Sequence, residues 1–263
     1  MIALIRGGGD LGSGIALRLH RAGFKIIITE IELPLVLRRT VAFANAIYEK
    51  EMIVEGVKSK FTSELNDIDS LLHSGIIPVL IDPELNVLNY ISVDILIDAR
   101  MLKSYNPNAL NKKPLIIGIG PGFIASQNCH AAIESNRGHF LGRVLWEGSA
   151  QENTGTPGKI GSADFDRVIR APLEGLINNG LMIGTMVKKG DFLGYVGNER
   201  IIASIDGCLR GLMHDGIYAN KGEKIGDLDP RQDPSLINFV SEKSLAIAGG
   251  VIEAIATYYR LVP

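Results

Sequence analysis

Apolar positions in the first 150 residues come as short unbroken runs separated by stretches of helical spacing. Residues 2–5 (IALI) form a continuous run, as expected of a strand buried on both faces. Ile15, Leu19 and Phe24 follow, with Ala16 and Ala22 at helical spacing, and predict a helix opening near residues 11–13. KIIITE is a second buried strand. LPLVLRRTVAFANAIY reads as a helix with Pro34 near its first turn. EMIVEGVKSKF gives short extended segments around Gly56, and ELNDIDSLLHSG a helix that stops at Gly75. IPVLIDPE, DILIDARM and PLIIGIGPGF supply three more apolar strands, and a further helix is expected from about Ser126. Strands and helices alternating at this length predict an α/β chain whose residues 1–148 form a Rossmann-like, doubly wound parallel sheet.

The pattern changes after a Gly-, Thr- and Pro-containing linker at residues 149–168. From Ile169 the chain repeats itself at an offset of 32 residues, with Ile169/Ile201, Ala171/Ala203, Gly175/Gly207, Gly184/Gly216, Lys189/Lys221, Gly190/Gly222 and Gly194/Gly226 identical. Short strands and regularly placed glycines in both halves suggest two interlocked β-hairpin layers over residues 169–232. With V-x-x-G-D-x-L and A-x-x-x-G in matching places, this part resembles the all-β barrel-sandwich hybrid of lipoyl and biotinyl carrier domains. Such carriers present a lysine at the tip between the halves. Here residues 197–200 read GNER, and arginine, always protonated, does not form the amide, so no covalent biotin or lipoate is expected. Residues 233–263 form a C-terminal helical segment. Ser241 is a suitable N-cap, and Ala246, Gly249 and Gly250 allow close packing, with a homo-oligomer interface the runner-up to a sheet-covering helix.

The corner between the first strand and first helix reads GGGDLGSG. Gly7, Gly9 and Gly12 match G-x-G-x-x-G, where glycines permit a tight turn, close approach of a pyrophosphate and close helix–strand packing. The helix N-terminus near Leu11 would offer unpaired N–H groups to an anion, with Asp10 and Leu11 counted among the binding positions. Glu30, ending the second strand, stands where an acid would hold ribose hydroxyls. Asp10 counts against a phosphate unless it turns away. Asp82, Asp98, Arg100, Gly120 and Gly122 map to the carboxyl ends of further strands, where ligands of such sheets bind. Cys129, His130, Glu134 and His139 fit no zinc spacing, so no metal is expected. Arg137 is a candidate anion or partner contact. A net charge of −2 argues against a nucleic-acid partner. The longest apolar stretch, LAIAGGVIEAIA, is too short for a membrane span and contains Glu253. MIALI followed by Arg6 lacks the features of a signal peptide, so a cytoplasmic location is expected.

The blocks IRGGGDLGSGIALRLHRAGF, TEIELPLVLRRTVAFANAIYE, IPVLIDPE, IGIGPGF, IESNRGHFLGRV and LRGLMHDGI…KIGDLDPR, in that order, resemble the YqeB-type proteins of the selenium-dependent molybdenum hydroxylase system. The resemblance implies an accessory or maturation role beside xanthine dehydrogenase-like client enzymes. It carries no catalytic residues, and Gly8 stands here where members often carry alanine. The bound cofactor would be NAD(P) or a molybdopterin dinucleotide, since both carry a pyrophosphate. Two other readings stand beside this one: an NAD(P)-dependent oxidoreductase, and a non-catalytic scaffold or docking protein.

Overall fold

The structure, a computed structural model, describes residues 1–102, 114–152 and 166–260. They divide into two units, the first comprising Met1–Pro34, Ala42–Thr154 and Val240–Pro263, the second Leu35–Val41 and Gly155–Phe239.

In the first unit the elements are β1 (Ile2–Arg6), α1 (Asp10–Arg21), β2 (Lys25–Glu30), α2 (Ala46–Glu49), β3 (Glu51–Val54) and β4 (Val57–Phe61). There follow α3 (Asp67–His73), β5 (Ile77–Ile81), β6 (Ile95–Asp98), β7 (Leu115–Ile119), β8 (Ile124–Ala125), β9 (Ala131–Ile133), β10 (Val144–Leu145), β11 (Gly148–Ser149) and the terminal α4 (Glu242–Tyr259). One sheet runs β10-β9-β7-β6-β1-β2-β5-β4-β3. Its interior pairs are parallel, whereas β3 on β4 and β10 on β9 are antiparallel. Leu4, Ile27, Leu80 and Val87 pack with Ile68 and Leu72 of α3 on one face. Burying each such side chain contributes about 1.5–3 kcal/mol.

The expected fold class is corrected here. The sheet is mixed, and the alternation of helix and strand fails at two places. Residues 33–48 are not a helix: they form 3-10 turns at Arg39–Val41 and Phe43–Asn45 and then the single turn α2. Side chains within this segment are drawn to other partners in the second unit. Arg38 donates to the carbonyls of Leu236 and Phe239, Arg39 to Leu212 and Thr40 to Ile237. The segment from Ser126 is not a helix either. Ser126 is left-handed at φ 68°, and Ala131–Ile133 pairs in parallel with β7, buried on both faces. A short apolar run of that kind cannot be assigned to helix or strand from periodicity. The molecule is a mixed α/β protein rich in strands with one long C-terminal helix, not a Rossmann-like sheet joined to a lipoyl/biotinyl-like barrel-sandwich hybrid.

In the second unit the strands are β12 (Val168–Arg170), β13 (Gly175–Asn179), β14 (Met186–Val187), β15 (Phe192–Val196), β16 (Glu199–Ile202), β17 (Gly207–Leu212), β18 (Tyr218–Ala219) and β19 (Lys224–Asp229). Every strand of the first repeat has its counterpart in the second, and the two four-stranded sheets, β12-β19-β17-β14 and β16-β15-β13-β18, each take two strands from either repeat. Exchange of strands explains why neither repeat buries a core alone. Asp227 and Asp229 lie buried among cations: Asp227 pairs with Arg167 and sits 3.6 Å from Lys224, and Asp229 lies 2.6 Å from Arg231 and 3.6 Å from Arg210. Of the expected linker, residues 153–165 lie outside the described residues.

Helix α4 begins at Ser241, whose hydroxyl caps the Ser244 amide at 3.1 Å. It packs on α1, where a Cβ on Gly14 would lie 2.4 Å from Ser244 Cβ, and on Gly142, whose carbonyl oxygen would be 2.1 Å from a Cβ on Gly250. Gly249, expected on the same packing face, points to open space. No helix among the described residues is long and apolar enough to cross a membrane.

Three results are expected. Gly250→Ala should destabilise the protein by about 1–3 kcal/mol in urea unfolding, because a backbone oxygen cannot rotate away. The adjacent Gly249→Ala should instead stabilise it by about 0.5–1 kcal/mol. Asp227→Ala should cost about 3–5 kcal/mol, since it strips the buried Arg167 of a carboxylate.

Candidate functional site

Arg6 pairs in register with Thr29 and Asp98, Thr29 with Leu80, and Asp98 with Gly118, so these residues form one row across the carboxyl edge of the sheet. The expected positions Gly7 and Glu30 follow this row by one residue, and Asp82, Arg100 and Gly120 follow it by two. Gly7 has φ 97°, which favours glycine, and its amide donates to the Thr29 carbonyl at 2.8 Å. A Cβ on Gly12 would meet the Gly7 carbonyl oxygen at 1.9 Å, so α1 starts hard against the end of β1. Gly8 is enclosed. Its amide donates to Glu30 Oε1 at 2.8 Å, and its carbonyl accepts from Ser13 Oγ at 2.8 Å and the Ala44 amide at 2.9 Å. An added methyl at Gly8 would lie 2.8 Å from Ile28 Cγ2 and 3.0 Å from the Ala44 amide nitrogen, so alanine there requires this wall to shift.

Beyond Gly8 the corner opens. Gly9, Asp10 and Leu11 are half-buried, and α1 has no side-chain cap at Gly9. The first amides of a helix have no partner within it. The Asp10 carboxylate accepts from Ser244 Oγ at 3.3 Å, so its charge is drawn toward the start of α4. Glu30 accepts from the amides of Gly8 and Ile31. Burial pushes its pKa up, against the pull of those two amides. Two lone-pair positions remain for other donors.

This edge carries both signs of charge, Arg6 and Arg100 standing among the carboxylates of Asp98, Asp82 and Glu84. The buried Asp98 carboxylate is gripped by Arg100, whose Nε lies 2.9 Å from Oδ1 and Nη2 2.6 Å from Oδ2. Arg6 shares it at 3.9 Å and also donates to the Pro83 carbonyl. Burial, then the charge of Arg100, lowers the Arg6 pKa. Two guanidiniums thus flank Gly7 around one carboxylate. Arg6 was not among the expected site residues; the signal was a cation ending a buried strand directly before the glycines.

Other expected residues have structural work. Asp82 caps the 3-10 turn Asn86–Asn89, accepting from the amides of Asn86 and Val87 at 2.9 and 2.8 Å. Gly120 (φ 87°) abuts Ser135, and the Gly122 carbonyl accepts from Asn128 Nδ2 at 3.1 Å. Cys129 is buried, its thiol pushed up to about 12 by burial. His130 Nδ1 accepts from the Ile116 amide, Glu134 accepts from the amides of Asn136 and Gln151, and His139 lies beside Phe140. His130 and Glu134 therefore do not share a helix face. Among the described residues no group of His, Cys, Asp and Glu is placed to hold a metal ion. Arg137 is paired with Glu242.

No protein-family model matches the chain. It is 44% identical over 254 residues to a protein from Escherichia coli strain K12 named uncharacterized protein YqeB, covering 97% of this chain and 47% of that protein. The chain thus spans about half the length of the curated relative it matches. That homologue supports the resemblance to YqeB and says nothing of molybdenum hydroxylases. Some solved structures to which the chain is similar bear desuccinylase and aspartoacylase titles. They include a succinylglutamate desuccinylase/aspartoacylase from Rhodobacter sphaeroides (14% identity, 86% of this chain and 85% of that chain, TM-score 0.27). An aspartoacylase family protein from Mesorhizobium loti (8%, 86% and 83%, 0.26) and a succinylglutamate desuccinylase from Silicibacter sp. TM1040 (13%, 86% and 84%, 0.26) are alike. At such scores none of their chemistry is carried to this chain.

The raised pKa of Glu30 has a measurable sign. The folded state holds this proton more tightly than the unfolded one, so the associated stability is present below pH 4.5 and lost as pH rises through the raised value. In urea unfolding across a pH series, the stability of Glu30→Gln relative to the parent should therefore climb above pH 4.5 and then level off.

Proposed function

We propose that the β1–α1 corner binds the diphosphate of a dinucleotide, NAD(P) or a molybdopterin dinucleotide. In this reading the chain acts as an accessory protein in maturing a selenium-dependent molybdenum hydroxylase, with the second unit as its docking surface for the client enzyme. The observation that carries the reading is the uncapped, half-open start of α1 beside Arg6 and Arg100. Amide dipoles and the guanidiniums of Arg6 and Arg100 favour an anionic group there, against the nearby carboxylates of Asp98, Asp82 and Glu84. The donor set also suits a ribose, because the Glu30 carboxylate keeps acceptor capacity beside Gly8.

Gly9→Asp gives a clean test. Gly9 is the N-cap of α1 with φ −70° and ψ −167°, a conformation aspartate adopts readily, and aspartate is a favoured N-cap. Folding should be unharmed or improved, while a carboxylate stands where the phosphate would lie. Calorimetric titration with NAD, NADP, ATP and molybdopterin dinucleotides should show binding by the parent, weakened about 100-fold or more in the variant, since juxtaposed like charges cost several kcal/mol. Absence of binding by every one of them to the parent protein removes the proposal.

A further inference from the structure

The first unit holds a cleft of about 280 Å³ at the carboxyl ends of β4 and β5. We infer that it takes the planar heteroaromatic ring, purine or pterin, of the ligand whose diphosphate sits at the β1–α1 corner, an inference that rests on the reading above. Placement comes first. Because Arg6, Thr29 and Leu80 share one row, Gly7, Glu30 and Ile81 share the next, and Ile81 lines the cleft. Gly7 and Ile81 are two strands apart, about 10 Å at the usual spacing. A ribose bridges that separation between a diphosphate and a purine base. Arg6 already joins the two places, ending β1 before Gly7 and donating to the carbonyl of Pro83.

Composition points the same way. Phe61, Leu65, Ile81, Val87 and Tyr90 give apolar walls, with Thr62 as a polar group on the lining. Leu65, Ile81 and Tyr90 remain 39, 41 and 72% exposed, so ring-sized apolar surface is left in water at one spot of the sheet edge. The volume suits one bicyclic ring and falls short of a whole dinucleotide. The cleft is also preformed. Asp82 spends its carboxylate on the amides of Asn86 and Val87, which fixes the turn that carries Val87 and Tyr90. Asp82 therefore acts as a positioning residue for the cleft wall.

Calorimetry with three probes separates the two sites: adenosine and free pterin for the cleft, inorganic pyrophosphate for the corner. Leu65 and Tyr90 are exposed, so their substitution leaves the core intact. Tyr90→Ala should weaken ring binding about tenfold, the scale of one lost aromatic stack, and Leu65→Arg should abolish it, with pyrophosphate affinity unchanged in both. Gly9→Asp should do the converse. Pyrophosphate binding without ring binding, or ring binding that Leu65→Arg leaves untouched, overturns the cleft inference and spares the corner. Ring binding lost in Leu65→Arg, with no pyrophosphate binding, sinks the diphosphate reading and leaves a ring site. No binding of any probe overturns both.

Discussion

A helix can start against the end of a buried strand only where both backbones are bare. The contact between Gly12 and the Gly7 carbonyl is that condition in this protein, and much of the first unit is arranged around it. Gly7 turns the chain through a left-handed conformation. Gly8 is then locked from three sides by Glu30, Ser13 and Ala44. The same Ser13 hydroxyl accepts from the Phe43 amide, so the segment after β2 is fastened to the corner rather than coiled into a helix of its own. One face of the corner is closed by this packing; the start of α1 is not.

The second constraint is the burial of charge without leaving it unpaired. Asp98 is almost fully buried and answers to two arginines, and Asp229 repeats the arrangement with Arg231 two residues on and Arg210 across the strand. Breaking such pairs costs more than their net contribution to stability, because the remaining ion is stranded in a medium of low polarity. At the sheet edge the pairing holds Arg100 and Arg6 beside the glycine corner. In the second unit the charges are enclosed between strands exchanged by the two repeats.

Small residues govern the close contacts of the terminal helix. Gly14 faces Ser244 and Gly250 faces Gly142, which lets α4 approach both α1 and the β9–β10 end of the sheet. The approach places the Ser244 hydroxyl within hydrogen-bonding reach of the Asp10 carboxylate.

The sequence by itself determined the strands whose ends carry the expected site residues, the turn at Gly7, the extended segments around Gly56, the cap at Ser241 and the 32-residue repeat. Each of these is written in local chemistry: unbroken apolar runs, a positive φ, a side-chain oxygen ahead of a helix, or the same residues recurring. Only the tertiary structure decided the rest. Residues 33–48 carry a helical pattern, yet carbonyls far along the chain claim the side chains of Arg38, Arg39 and Thr40. The Ala131–Ile133 run is too short for its period to distinguish strand from helix, and pairing with β7 settles it. Whether Asp82 meets a ligand or caps a turn, and whether Arg6 stands beside Arg100, depends on neighbours brought together across the sheet, for which linear spacing carries no signal.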